Sequence, residues 1–247
     1  MTRCAACGTA VPAHLPVQSD GRRLCEGCYL DAAHPKPARH GALYADFAEA
    51  LTDALDLREH ETGMHSRRVA CHTLVLAHRF TDDDEALHQI YWGALLHDLG
   101  KIGVPDRILL KDGSLDEAEW TIMRRHAEDG YRIVSRLPGM ETAAASVLSH
   151  EERFDGSGYP KALRGTAIPF GARLFAVVDT LDAMTSDRPY RRGLPFDAAR
   201  AEILRMAGSQ FDPAAVDALV AEDAVLRKMV EMKCIQHDVG AFDPPSR

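Results

Sequence analysis

From Ala42 onward, apolar residues recur at three- and four-residue steps, as in Leu43, Phe47, Ala50, Leu51, Ala54 and Leu55. No convincing alternating run interrupts this pattern. Such steps stack side chains on one face of a helix, whereas a half-buried strand needs a period of two. The expectation is an all-α main domain, with a short hairpin near 160–170 as its one extended feature. Helical patterns run through 65–79, 84–97, 116–127, 130–136, 140–150, 170–185, 197–207 and 213–231. Asp116 and Glu119 have the capping-box spacing, and Thr81 precedes a run of acids suited to a helix N-terminus.

A chain of 247 residues can bury one good core and carry a small module besides. Residues 1–30 show little helical periodicity. Pro35, Pro37 and Gly41 make 31–41 read as a linker, which leaves 42–247 as the main domain. No apolar run approaches a membrane span, and the start of the chain lacks the apolar core of a signal peptide. A cytoplasmic protein without membrane contact is expected. The net charge of −8 argues against a polymeric nucleic-acid partner. Bound divalent cations would reverse the local sign, so a small anionic substrate stays compatible with an acidic chain.

Cys4-x2-Cys7 and Cys25-x2-Cys28 form two knuckles separated by seventeen residues. That spacing suits a tetrahedral four-thiolate zinc site of the zinc-ribbon kind. A module this short has no core of its own, so one structural zinc would supply most of its folding energy. Two disulfides are the alternative, less suited to a reducing compartment. A redox dithiol is a third reading, disfavoured by the lack of a βαβ pattern. Such a module offers a docking surface for a protein partner, or a sensor.

Glu61, His65, His97, Asp98, His126, His150, Glu151 and Asp179 form a scattered set of the type that a multi-metal hydrolytic centre needs. Glu61 and His65 are four apart and share a helix face, as two ligands or as an ordinary surface pair. His97 and Asp98 close an apolar helix, and adjacent positions point roughly a hundred degrees apart, so they can serve two metals. The glycine-broken turn after them brings Lys101 towards the same centre. His126 ends one helical stretch and His150-Glu151 the next. Asp179 stands in an apolar helix, where a buried carboxylate needs a metal or a polar partner.

These residues occur in segments that resemble the HD-GYP family. The segments are Glu61-Thr-Gly-Met-His65, His97-Asp98-Leu-Gly-Lys101-Ile-Gly-Val-Pro, His126, His150-Glu151 through Asp155-Gly-Ser-Gly-Tyr159-Pro160, Asp179 through Arg191, and Gln210-Phe-Asp-Pro213. The resemblance spans roughly 42–220 in the family's order. It implies an HD-superfamily helical bundle and a phosphodiesterase that hydrolyses cyclic di-GMP to pGpG, and it leaves open whether pGpG is cleaved further to GMP. It also implies two or three iron or manganese ions. His65, His97, Asp98, His126, His150 and Asp179 would be the ligands, with Glu61 as an extra one. Lys101, Tyr159, Arg188 and Arg191 match positions that meet substrate phosphates; surface ion pairs are the plain alternative for the two arginines. Asp98 and Lys101 would act at the reacting phosphate.

One departure concerns Glu151, which stands where the family usually has a second adjacent histidine. A carboxylate is a legitimate ligand for iron, manganese or magnesium, and Glu151 is expected to be one. Two rival readings follow: an effector that binds the nucleotide or a partner without cleaving it, and a hydrolase of another cyclic dinucleotide.

Overall fold

The computed structural model describes residues 2–11, 22–33, 39–59, 64–187 and 192–231. Glu61, Arg188 and Arg191 lie outside the described residues. Twelve α-helices follow a two-stranded antiparallel ribbon among the described residues. The ribbon pairs β1 (Thr2–Arg3) with β2 (Ala10–Val11). Helix α1 covers Glu26–Ala33 and α2 covers Arg39–Glu59. The segment expected to be loop-like thus holds a ribbon and a helix, and helix reaches into both ends of the stretch read as a linker. The sulfur spacing dominated that part of the sequence and hid the short helix behind it.

The bundle continues with α3 (Met64–Ala77), α4 (Asp84–Leu95), α5 (Asp106–Leu109) and α6 (Glu117–Met123). It then runs through α7 (His126–Val134), α8 (Glu141–Ser149) and α9 (Phe170–Thr185). Helices α10 (Phe196–Arg205), α11 (Pro213–Ala221) and α12 (Asp223–Glu231) complete it. The all-α expectation holds for the main domain.

Helix α4 shows how the sequence builds these elements. Asp83 caps it, accepting from the Ala86 N–H at 3.0 Å, and Asp84 and Glu85 favour its positive end. Thr81 lies outside the helix and accepts from the Asp83 N–H instead. Leu87, Ile90, Tyr91, Ala94 and Leu95 form the buried stripe. The capping box of α6 is complete, with Asp116 and Glu119 each accepting from the other's backbone N–H.

Helix α9 lies at the centre, with Leu174, Val177, Val178 and Leu181 fully buried among α3, α4, α8 and α10. The stretch 213–231 is two helices, broken at Glu222, whose backbone leaves the helical region. Leu219 and Leu226 are both fully buried, and their seven-residue step reads as one continuous stripe.

No strand occurs at 160–170. The backbone donors of Lys161 and Leu163 go to the buried Glu152 carboxylate at 2.7 and 3.0 Å, so a partner strand has no donors to claim there. A 3-10 turn at Gly165–Ala167 follows.

Candidate metal centre

Helix α4 ends just before His97 and Asp98, and their side chains diverge. His97 joins His65 of α3 and Asp179 of α9 in one group of three donors. Asp98 joins His126 and His150 in a second. Within each group the donor atoms lie within 4.8 Å of one another. The two groups meet where His97 Nε2 stands 3.0 Å from Asp98 Oδ2. His126 begins α7 rather than ending a helix, and His150 caps the end of α8. Gly130 lies inside α7 and packs closely against Val147 and Gly100.

Three of the imidazoles are aimed by the same device. The Nδ1–H groups of His97, His126 and His150 donate to the carbonyls of Ala94, Met123 and Val147 at 2.9, 2.8 and 2.7 Å. A carbonyl cannot donate, so each bond fixes Nδ1 as the protonated atom and leaves Nε2 for the centre. His126 Nε2 and His150 Nε2 then face each other at 3.0 Å. Burial and the neighbouring His126 and His97 push His150 down to about 3, so its ring is neutral. Two lone pairs at this distance repel unless a cation lies between them. This geometry fits a divalent metal, and the nitrogen and oxygen donors suit iron, manganese or zinc.

Asp98 accepts the Lys101 ammonium at 2.7 Å. Burial opposes its ionisation, but His97 and Lys101 hold its carboxyl well below the usual range. The 3-10 turn Leu99–Gly103 that carries Lys101 is clamped from α2. Arg58 donates to the Lys101 carbonyl at 3.1 Å, to the Ile102 and Val104 carbonyls, and to Asp106. Gly100 lets this turn touch α7: a Cβ there would meet the His126 carbonyl oxygen at 1.8 Å.

Asp179 is not the buried acid of α9. Its side chain is 37% exposed at the centre, with Oδ1 3.4 Å from His65 Nε2. The buried acid is Asp182, one turn on and 1% exposed, which takes His65 Nδ1 at 2.8 Å and the Arg68 guanidinium on both oxygens. Asp182 is a carboxylate that orients a donor histidine, a role the sequence reading missed.

Glu151 sits at the rim, half-exposed, with Oε1 4.0 Å from both His126 Nε2 and His150 Nε2. Burial raises its pKa, partly offset by the hydrogen bond from Tyr159. Tyr159 lines a cleft of about 310 Å³ together with Arg124, His150, Glu151, Asp179 and Gln210. Arg124 lies over the Tyr159 ring at 5.4 Å. The tight Gly-Ser-Gly approach is real at Gly158, where a Cβ would meet the Arg153 backbone nitrogen at 2.4 Å. Phe175 forms an apolar wall, 4.7 Å from the His97 ring. The four cysteines also converge, their Sγ atoms within 4.8 Å of one another.

A family model for an HD domain matches residues 49–215 of the sequence. The chain belongs to the HD domain family. Among HD domain relatives, a cyclic di-GMP phosphodiesterase of Thermotoga maritima is 39% identical over 183 residues, covering 72% of this chain and 50% of its own length. A 3'3'-cGAMP-specific phosphodiesterase of Vibrio cholerae is 37% identical over 172 residues, 69% of this chain and 33% of its own. This HD domain chain thus spans about half or less of the length of these curated relatives. Two solved structures share the HD fold. One is a V. cholerae phosphodiesterase specific for cyclic GMP-AMP, with a TM-score of 0.59 and 19% identity over 76% of this chain and 50% of that one. The other is described as an HDG"Y"P protein from Bdellovibrio bacteriovorus, with a TM-score of 0.52 and 21% identity over 81% of this chain and 63% of that one.

Proposed function

We propose that the chain is a metal-dependent phosphodiesterase that hydrolyses cyclic di-GMP to pGpG, and pGpG onward to GMP. The observation that carries this reading is the pair of three-donor groups meeting at His97 and Asp98, beside a cleft bearing Tyr159 and Arg124. Two or three iron or manganese ions would be held by His65, His97, Asp98, His126, His150 and Asp179, with Glu61 and Glu151 as further ligands. Bound there, such ions lower the pKa of water and polarise phosphoryl oxygens.

The chain's own groups do the rest. The backbone carbonyls behind His97, His126 and His150 hold each Nδ1–H, so that Nε2 is the atom aimed at the centre. Lys101 fixes Asp98 and adds positive charge beside the reacting phosphate. Tyr159, Arg188 and Arg191 bind non-bridging phosphate oxygens, the arginines by their forked donors. Phe175 keeps one side of the centre dry, which strengthens these interactions. Each hydrolysis consumes one water: a P–O bond to the 3′ oxygen breaks, a new P–O bond forms, and the 3′ oxygen takes a proton.

The relatives specific for 3'3'-cGAMP are 35–37% identical, close to those named for cyclic di-GMP, so cyclic GMP-AMP is the second substrate to test. Turnover of both nucleotides by metal-loaded protein, with products separated, decides between them. An effector that binds without cleaving would show affinity and no product.

The cysteines are read as one structural zinc site. A tetrahedron of Zn–S bonds of ~2.3 Å separates its sulfurs by about 3.8 Å. Cys7 and Cys25 Sγ are 3.7 Å apart, whereas a disulfide needs about 2.05 Å. Residues 1–30 would form this module, 31–41 the linker and 42–247 the catalytic domain, in the cytoplasm, with the module open to a protein partner. No helix among the described residues is long and apolar enough to cross a membrane.

A further inference from the structure

We infer that Glu26 and Arg68 are positioning residues that tie the four-cysteine site to the His65 side of the metal centre. The inference rests on the proposed reading of both clusters as metal sites. Its starting point is a chain of charged groups running between them.

Glu26 follows Cys25 directly and opens α1, which also carries Cys28. Its carboxylate is only 7% exposed and accepts from Arg68 Nη1 at 2.9 Å. The other edge of the same guanidinium grips Asp182, with Nε on Oδ1 at 2.8 Å and Nη2 on Oδ2 at 3.1 Å. Asp182 in turn holds His65 Nδ1 at 2.8 Å. Each link is at hydrogen-bond distance and largely shielded from water. Packing follows the same route. Tyr29 of α1 touches both the small cluster around Cys4 and the main core. Gly27 faces Met64, the residue before His65, so that a Cβ at Gly27 would lie 3.9 Å from the Met64 methyl. The cysteine module lies outside the matched span 49–215, so this path joins the HD centre to a segment beyond it.

A guanidinium is a rigid planar fork, and two carboxylates on two of its edges fix its orientation more tightly than one does. Burial makes each partner costly to leave unpaired. A small four-thiolate module takes its shape from its metal. Loss of that metal loosens Cys25 and Cys28, and with them Glu26. Arg68 is then held from the Asp182 side alone, and the aim of His65 relaxes. The Asp98, His126 and His150 group does not share this dependence, because backbone carbonyls aim its imidazoles. The link therefore weakens one metal subsite selectively.

The test is Mn²⁺ binding to the full chain, with free Mn²⁺ followed by electron paramagnetic resonance and zinc quantified in parallel. Glu26→Gln removes the charge with little change in shape, and Cys28→Ser opens the zinc site from the other end. Both are expected to weaken one Mn²⁺ site about tenfold, the lower end of what outer-shell changes do, and to leave the other unchanged. Arg68→Lys, which cannot span both carboxylates, should weaken the same site. Far-UV circular dichroism and Tm report folding separately. A purely structural role would lower Tm and leave the isotherm of the folded protein unmoved. Unchanged affinity at both sites in folded Glu26→Gln, or equal weakening of both, overturns the link. A wild-type chain that binds both ions yet cleaves no cyclic dinucleotide overturns the functional reading instead and leaves the link standing.

Discussion

Gly100 is the residue at which geometry leaves least room. A methyl group there would lie 1.8 Å from the His126 carbonyl oxygen and 2.5 Å from the Gly130 nitrogen, both backbone atoms. Gly100→Ala should therefore cost at least about 1–3 kcal/mol, as overpacking does, and displace Lys101 and His126 together. Denaturant unfolding measures the first effect and loss of turnover the second; a neutral substitution would show that the turn packs differently. The histidines and acids of the centre were legible from residue type and spacing, because few other roles call for so many imidazoles beside carboxylates. Asp182 was not legible. Its partner Arg68 is 114 residues away, and nothing local marks a carboxylate as the one that orients a histidine. Glu152 escaped notice for a related reason: its two partners are backbone donors, which carry no residue signature.

At the scale of elements, the three- and four-residue periodicity located the helices well, and α9 was expected at 170–185, the bounds it has. The failures have physical causes. Helix α7 was split between the patterns 116–127 and 130–136, because Glu128 and Asp129 offer no apolar step across the join. The proposed hairpin failed because Glu152 takes the donors of Lys161 and Leu163. That carboxylate is 4% exposed and shapes the loop that carries Tyr159. Glu152→Ala should cost about 1–3 kcal/mol for the buried donors left unpaired. It should also raise KM more than it lowers kcat, since the loop positions substrate. Steady-state kinetics beside urea unfolding check both; an unchanged KM would detach the loop from substrate binding.

For the molecule as a whole, the candidate metal centre is built where five separate segments meet: α3, the turn after α4, the start of α7, the end of α8, and α9. Metal binding should therefore stabilise the entire bundle. Free metal at a hundredfold excess over Kd adds about 2.7 kcal/mol per site by mass action. Calorimetric Tm should rise with Mn²⁺ in wild type, and the rise should shrink in Asp98→Ala, which lacks a donor of the second group. An equal rise in both would place the ions elsewhere. That the chain holds two clusters of metal-type donors was legible in the sequence; the hydrogen-bonded path between them through Glu26 and Arg68 was not, since it crosses three helices.

The decisive measurement is anaerobic turnover of cyclic di-GMP by protein shown to hold at least two iron or manganese ions, with products separated chromatographically. Formation of pGpG and then GMP, lost in a folded Asp98→Ala variant, is the predicted result. No product from fully loaded wild-type protein, or equal product from Asp98→Ala, would contradict a hydrolytic centre at His97 and Asp98.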